Sequence, residues 1–205
     1  MNLRHAFTAA IAAATIPLVA SAAGTISWHV DPIHTRASFT VSHFVISKVD
    51  GHIPIASMSL SSATGSVIPT AVDVILDVAH ESTDNDMRDG DLKSPTYFDI
   101  AKYPTAHFRS TRIVANGAKD FTMTGDLTIK DVTKVVSIPV HVEGTIPDRH
   151  GVRIVYTAQF HIDRRDYRMV DASLTAAGVL VVGYDATIGL SVDATTDDPS
   201  IKPGL

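Results

Sequence analysis

The sequence predicts an all-β fold, an antiparallel barrel of about eight strands with one or two short helices in a long connection. Apolar and polar residues alternate along most of the chain, a pattern typical of half-buried strands. No helical periodicity lasts longer than a turn or two. Several of the predicted strands reach about ten residues or more, and long tilted strands favour a barrel over a small sandwich.

The first three predicted strands cover residues 37–45, 55–62 and 71–78. Alternate residues of a strand point to opposite sides, so Phe39 and His43 share one face of the first strand. In the third strand, the apolar and acidic residues separate onto opposite faces: Val72, Val74, Leu76 and Val78 against Asp73 and Asp77. Each of these strands is therefore expected to bury one face.

The alternation stops in residues 81–104, which predict the long connection. This stretch carries five aspartates and is interrupted by Pro95 and Pro104. Ser82 and Thr83 open it and are residue types that cap helices. We expect one or two short helices here, capped by these side chains.

Strand alternation resumes after the connection and continues to the end of the chain. A turn at Asn116-Gly117 has the composition of a hairpin. Pro139 lacks an N–H group and suits the edge of a sheet or a bulge. The remaining strands are predicted over residues 105–113, 121–129, 135–145, 151–163 and 184–194.

The N-terminus predicts export. Arg4 precedes the apolar run 6–19, and the small residues 20–22 fit a cleavage site, which together are typical of a secretory signal peptide over residues 1–22. The run is shorter than the ~20 residues of a spanning helix, so we expect no transmembrane span after signal removal. Residues 23–205 are expected to form one domain in the periplasm, cleaved near Ala22.

Composition and motifs exclude several classes of function. The net charge of −5 is spread without a basic stripe, which argues against nucleic acid as a partner. The chain has no cysteine and no serine-hydrolase elbow, zinc-protease, P-loop or dinucleotide motif. Its histidines show no H-x-H pair for a metal on one strand face, and its aspartates lack the EF-hand order. We therefore expect no cofactor, no metal and no enzymatic activity.

Several spaced segments resemble the YceI-like family. They include Trp28 to Thr35, the stretch 37–51, the long match from Asp89 to Thr111, residues 127–136 and residues 182–188. The resemblance covers nearly the whole chain after the signal peptide. It implies an eight-stranded lipocalin-like barrel that binds polyisoprenoids or related lipids in the periplasm.

The apolar strand faces have two interpretations. Their side chains either fill the barrel or line a tunnel, and alternation alone does not separate the two. The resemblance implies the tunnel, whose candidate wall residues are Phe39, Val41, His43, Leu76, Phe98, Phe108, Tyr156 and Phe160. His43 needs a polar partner on this apolar face, which is protein, water or ligand.

Four basic residues are candidates for contacting a polar head group: His34, Arg88, Lys93 and Arg164. A guanidinium or ammonium group would pair with an anionic head. The alternative for His34, which follows Pro32, is a hydrogen bond that stabilises a turn. The alternative for the other three is simple solvation at the surface.

The predicted function is a periplasmic binding or carrier protein that holds an isoprenoid-like or other long-chain lipid inside the barrel. A stress-related envelope scaffold with a protein partner is the first alternative. A small lipid-modifying or metal-dependent enzyme is the second. The sequence leaves a homodimer open.

Overall fold

Strands dominate the computed structural model, which describes residues 24–205. The predicted signal peptide and its cleavage position lie outside these residues. The strands are β1 (Thr25–Val30), β2 (Arg36–His43), β3 (Ser47–Ile53), β4 (Ile55–Ala63), β5 (Pro69–Asp77), β6 (Thr105–Ala115), β7 (Asp120–Ile129), β8 (Val132–Asp148), β9 (Gly151–Asp163) and β10 (Val182–Thr196). One α-helix, α1 (Asp86–Lys93), and two 3₁₀ helices, Val78–His80 and Arg164–Tyr167, lie in the connections.

The sheet closes into a barrel because β1 pairs with β10 as well as with β4. Both β1 and β2 pair with β10, and together they form one barrel strand that is interrupted by a turn at residues 31–35. β3 and β4, on either side of Pro54, pair in the same way with β2 and β1. The ten segments are therefore eight barrel strands, two of them interrupted. This confirms the predicted eight-stranded antiparallel, lipocalin-like barrel.

Two strand segments, β1 and β3, were not predicted. β3 contains Lys48, Asp50 and His52, so it lacks the continuous apolar face that identifies the other strands. The first predicted strand also ends earlier than expected, since β2 stops at His43 and residues 44–46 form a turn. Pro139 of β8 pairs with Thr122 of β7. The pairing of β8 with β9 begins at the next residue, Val140, so Pro139 has a neighbouring strand on one side and occupies an edge-like position that proline tolerates.

The long connection contains α1, as predicted, but the predicted caps are wrong. Asn85 is the N-cap, and its side chain accepts a hydrogen bond from the backbone N–H of Arg88 at 3.0 Å. Ser82 and Thr83 instead donate their hydroxyl groups to the carboxylate of Asp89. As acceptors, the two hydroxyl oxygens bind the backbone N–H of Asp84 and the Nε–H of Arg88, so neither caps α1.

The two ends of the barrel differ. At one end Trp28 donates its indole N–H to Ser62 at 3.0 Å, and the C-terminal tail buries Ile201. Tyr156 reaches the same end, where its hydroxyl donates to the carbonyl of Val67 at 2.7 Å. We call this the closed end. The opposite end, where β2 turns into β3 and α1 lies, is open.

Candidate ligand-binding cavity

The interior of the barrel contains a cavity of about 130 Å³, which we call the chamber. Its wall is made by inward-facing side chains of the barrel strands, because alternate residues of each strand point to the axis. The wall is apolar almost throughout. The chamber therefore suits a hydrocarbon better than a polar molecule.

Six of the eight predicted wall residues line the chamber: Phe39, Leu76, Phe98, Phe108, Tyr156 and Phe160. Two methionines that the sequence reasoning missed, Met58 and Met123, lie beside them. Methionine is unbranched and adapts its shape to irregular space. The wall thus combines fixed aromatic rings with adaptable side chains.

A second cavity of about 350 Å³ lies at the open end, and we call it the vestibule. Val41 and His43 line it rather than the chamber, and Phe39 lines both cavities. Its polar lining comes from β2, from α1 and from the connections β5–β6 and β9–β10: Ser42, His43, Asn85, Arg88, Asp91, Tyr97, Asp171 and Ser173. The site therefore has an apolar interior and a partly polar entrance.

Phe39 separates the two cavities. Its ring lies over Gly51, the residue opposite it on β3, and a Cβ at that glycine would overlap the ring. Glycine is required here by the close approach of the ring rather than by its own backbone angles. The ring of Phe39 is thus packed flat against the backbone of β3 at the boundary between the two cavities.

Tyr97 and Asp171 form the polar wall of the vestibule, although they are 74 positions apart in sequence. The Tyr97 hydroxyl donates to Asp171 Oδ2 at 2.8 Å. Burial, together with this bond, raises the pKa of Tyr97 to about 12. Hydrogen bonds from Ser173 and Tyr97 lower the pKa of Asp171, so the pair presents one neutral hydroxyl and one anion. No local sequence signal marks this pair.

Arg88 is the one predicted head-group residue that lines a cavity within residues 24–205. It donates from Nε to Thr83 Oγ1 at 2.6 Å and from Nη2 to the Thr83 carbonyl at 2.7 Å. Its Nη1 forms no hydrogen bond with any residue in the range 24–205, and the side chain lines the vestibule.

Arg164 is buried behind the vestibule wall, 4% exposed. Its guanidinium donates to backbone carbonyls of Met169, Asp171, Val182 and Gly183. It also lies 5.8 Å from the centroid of the Tyr97 ring. In this arrangement Arg164 fixes the loop that carries Asp171.

His34 and Lys93 line neither cavity. His34 is in the turn between β1 and β2, where its Nδ1 lies 2.9 Å from Asp31 Oδ2. That bond, with a second from Arg153, holds the pKa of Asp31 well below its usual range. The contact matches the alternative of a turn-stabilising hydrogen bond.

Within the described part of the chain, five histidines each pair with one aspartate: His34, His80, His107, His141 and His161. Within residues 24–205 no group of three or more potential ligands converges to hold a metal ion. In the same part of the chain, no helix is both long and apolar enough to cross a bilayer.

The model of the YceI-like domain matches residues 28–194. This is most of the chain, and the protein therefore belongs to the YceI-like family, as the resemblance predicted.

Curated relatives are described as UPF0312 proteins. The one from Vibrio campbellii is 28% identical over 137 residues, covering 66% of this chain and 72% of the relative. The one from Shewanella denitrificans is 32% identical over 118 residues, covering 58% of this chain and 62% of the relative. The match thus spans less than two thirds of the Shewanella protein.

Solved structures share the fold. Burkholderia cenocepacia BcnA superposes with a TM-score of 0.68 at 21% identity, covering 81% of this chain and 99% of BcnA. The Campylobacter jejuni YCEI protein gives 0.62 at 24% identity, covering 74% and 87%. A polyisoprenoid binding domain from Saccharophagus degradans gives 0.58 at 15% identity, covering 83% and 98%. At these identities the likeness establishes the barrel architecture alone.

Proposed function

We propose that this protein is a periplasmic carrier that holds an isoprenoid-like or fatty molecule, with the apolar tail in the chamber and the polar head in the vestibule. The observation that carries the proposal is the junction of the two cavities at Phe39. An amphiphile has this same division between an apolar and a polar part. Burial of the tail would supply most of the binding free energy.

The chamber is small for a long-chain lipid. At about 130 Å³ it is close to an engineered apolar cavity of about 150 Å³ that binds benzene. A longer tail therefore needs extra space, which comes from rotation of Phe39 and rearrangement of Met58 and Met123. We infer that the protein expands around its ligand and that the tail enters from the vestibule.

The vestibule offers three kinds of contact to a head group. Arg88 can donate from Nη1, Asp171 can accept, and the imidazole of His43 lies on the same wall. Of the four predicted head-group residues, Arg88 contacts the head group directly in this proposal. Arg164 acts through the loop that it holds, and His34 and Lys93 do not take part in ligand binding.

Three further points support a carrier rather than a catalyst. The N-terminal sequence is typical of export, which fits the predicted periplasmic location. The hydroxyl groups of the chamber's lining residues, Ser38, Tyr156 and Thr157, donate to Gly189, Val67 and Glu143 respectively. A structural neighbour is described as a polyisoprenoid binding domain. We propose that binding, without chemistry, is the function.

Substitution of Phe39 tests this proposal. We expect Phe39→Arg to weaken retention of a labelled isoprenoid by at least about tenfold, because a charge at the junction would have to be desolvated by the tail. Retention is measured by gel filtration after loading with a polyprenol or a fatty amide. The control is Val135→Arg, since Val135 is 71% exposed on the outer face of β8. Unchanged retention by Phe39→Arg would show that this strand face is not the wall.

A further inference from the structure

The turn between β2 and β3 presents three consecutive apolar side chains to solvent. Phe44, Val45 and Ile46 are 40%, 68% and 92% exposed. We call these three residues the tip. Single exposed apolar residues are ordinary, but a contiguous exposed patch marks a contact surface.

The backbone of the tip is unfavourable for its sequence. Phe44 and Val45 have φ angles of 51° and 67°. This left-handed region suits glycine or asparagine in a hairpin turn and is disfavoured for bulky or β-branched residues. The conformation therefore carries a stability cost that the hairpin itself does not require. Strain of this kind is common at functional sites.

The tip is firmly held in spite of this strain. The N–H of Phe44 donates to the carbonyl of Val181 at 2.9 Å, which ties the turn to the segment before β10. The Ser47 hydroxyl donates to the carbonyl of His43 at 2.8 Å across the base of the turn. The centroids of the Phe44 ring and the His43 imidazole are also 4.0 Å apart. The three side chains are thus displayed on a braced support.

The tip lies at the rim of the vestibule, because His43 and Val181 both line that cavity. Other exposed apolar residues adjoin the same rim. Met87 of α1 is itself a lining residue and is 83% exposed, and Leu174, next to the lining residue Ser173, is 62% exposed. The apolar surface of the molecule at this end therefore surrounds the opening through which a tail would pass.

We propose that the tip docks the open end onto a lipid bilayer, so that ligand passes between membrane and chamber without crossing water. This rests on the proposed carrier function for the choice of a membrane as the partner, because a bilayer is the phase in which long apolar molecules reside. Lys48, exposed beside the tip, is the charged residue nearest to it in sequence and complements anionic lipid head groups. Binding to a membrane interface strengthens with the apolar area that is buried and with electrostatic attraction to anionic lipids.

Vesicle binding by ligand-free protein tests the docking. We expect the purified exported chain to float with vesicles of phosphatidylethanolamine and phosphatidylglycerol. The double substitution Val45→Gly and Ile46→Ser should weaken this binding by about tenfold or more. It should leave thermal stability equal or higher, because glycine suits the φ angle of 67° at position 45. A loss of binding with no loss of stability separates docking from unfolding.

The matched control is Ile146→Ser, which removes a 59% exposed isoleucine from β8 near the closed end. It should bind vesicles as the unmodified protein does. The proposal is overturned if the unmodified protein ignores vesicles, or if the tip variant binds them equally well. It is also overturned if the tip instead joins two copies, seen as a dimer that the double substitution disperses while neither form binds vesicles. A protein that retains isoprenoid but ignores vesicles would keep the carrier function and lose only this docking.

Discussion

Glu81 is a buried acid without a hydrogen-bond partner. It is 2% exposed, and neither carboxylate oxygen is bonded by any residue in the described range 24–205. Burial, together with the charge of Asp89, raises the pKa of Glu81 to about 7, against a smaller opposing effect of Lys93. The carboxyl is therefore neutral in the folded protein under mildly acidic conditions. Nothing in the sequence pattern marked this residue.

This raised pKa predicts a pH-dependent stability. The unfolded carboxyl titrates near its ordinary value of 4.5, so between that pH and about 7 the folded state binds more protons. The contribution of Glu81 to the free energy of unfolding is therefore fully present below pH 4.5 and declines as the pH rises towards about 7. The decline is at most about 1.4 kcal/mol per pH unit. Glu81→Gln should reduce this decline in the free energy of unfolding, measured with denaturant at several pH values. Glu143→Gln, at an exposed glutamate, is the control, and equal pH slopes in all three proteins would contradict the account.

Arg164 provides a second prediction for a single residue. Because its guanidinium serves four carbonyls, Arg164→Lys should lower the free energy of unfolding by about 3 kcal/mol. Lysine has fewer donors and no planar fork. Arg165→Lys, at an exposed residue paired with Asp163, should cost less than about 1 kcal/mol. If Arg164→Lys left stability intact and weakened ligand retention, Arg164 would be a head-group residue after all.

At the scale of elements, the hairpin of β6 and β7 depends on Gly125. A Cβ there would overlap the carbonyl oxygen of Arg109 and the ring of Phe108. A ring can move, but a backbone carbonyl in a paired strand cannot move without breaking the pairing. The absence of a side chain is therefore what allows Phe108 to lie flat in the chamber wall.

We expect Gly125→Ala to lower the free energy of unfolding by about 2 kcal/mol, since it forces extra atoms into filled space. Gly117→Ala in the turn of the same hairpin is the control, because a Cβ there meets only Asp120 Oδ2 at 4.0 Å. Chemical denaturation measures both variants. Equal stability of the two would mean that the strands around Gly125 adjust more freely than this packing implies.

The sequence predicted elements well where a strand buries one continuous face. In β7, every second residue from Phe121 to Ile129 is buried, and the pattern was unmistakable. The alternation did not identify β3, because most of its side chains are polar. This strand lies beyond the end of β5, and on that side its backbone forms an isolated bridge between His52 and Ser82. The prediction of the helix start was also wrong, because the Ser82 and Thr83 oxygens accept from the N–H of Asp84 and from Nε of Arg88, and Asn85 is the N-cap.

For the whole molecule, the chamber was easier to predict than the vestibule. Wall residues such as Phe108 and Phe160 follow from alternation and barrel closure. The vestibule joins Arg88, Tyr97 and Asp171 from separate connections, and no periodicity relates residues in loops. Whether the barrel is hollow depends on the summed volumes of all inward side chains, which a pattern of apolar positions does not contain.

The most direct test of whether this barrel carries an apolar molecule is to extract freshly purified protein with organic solvent and to identify co-purifying lipid by mass spectrometry. We predict a long-chain isoprenoid or fatty compound in the extract, reduced in Phe39→Arg and retained in Val135→Arg. Freshly isolated protein that yields no lipid, and that binds no added isoprenoid or fatty amide, would contradict the account.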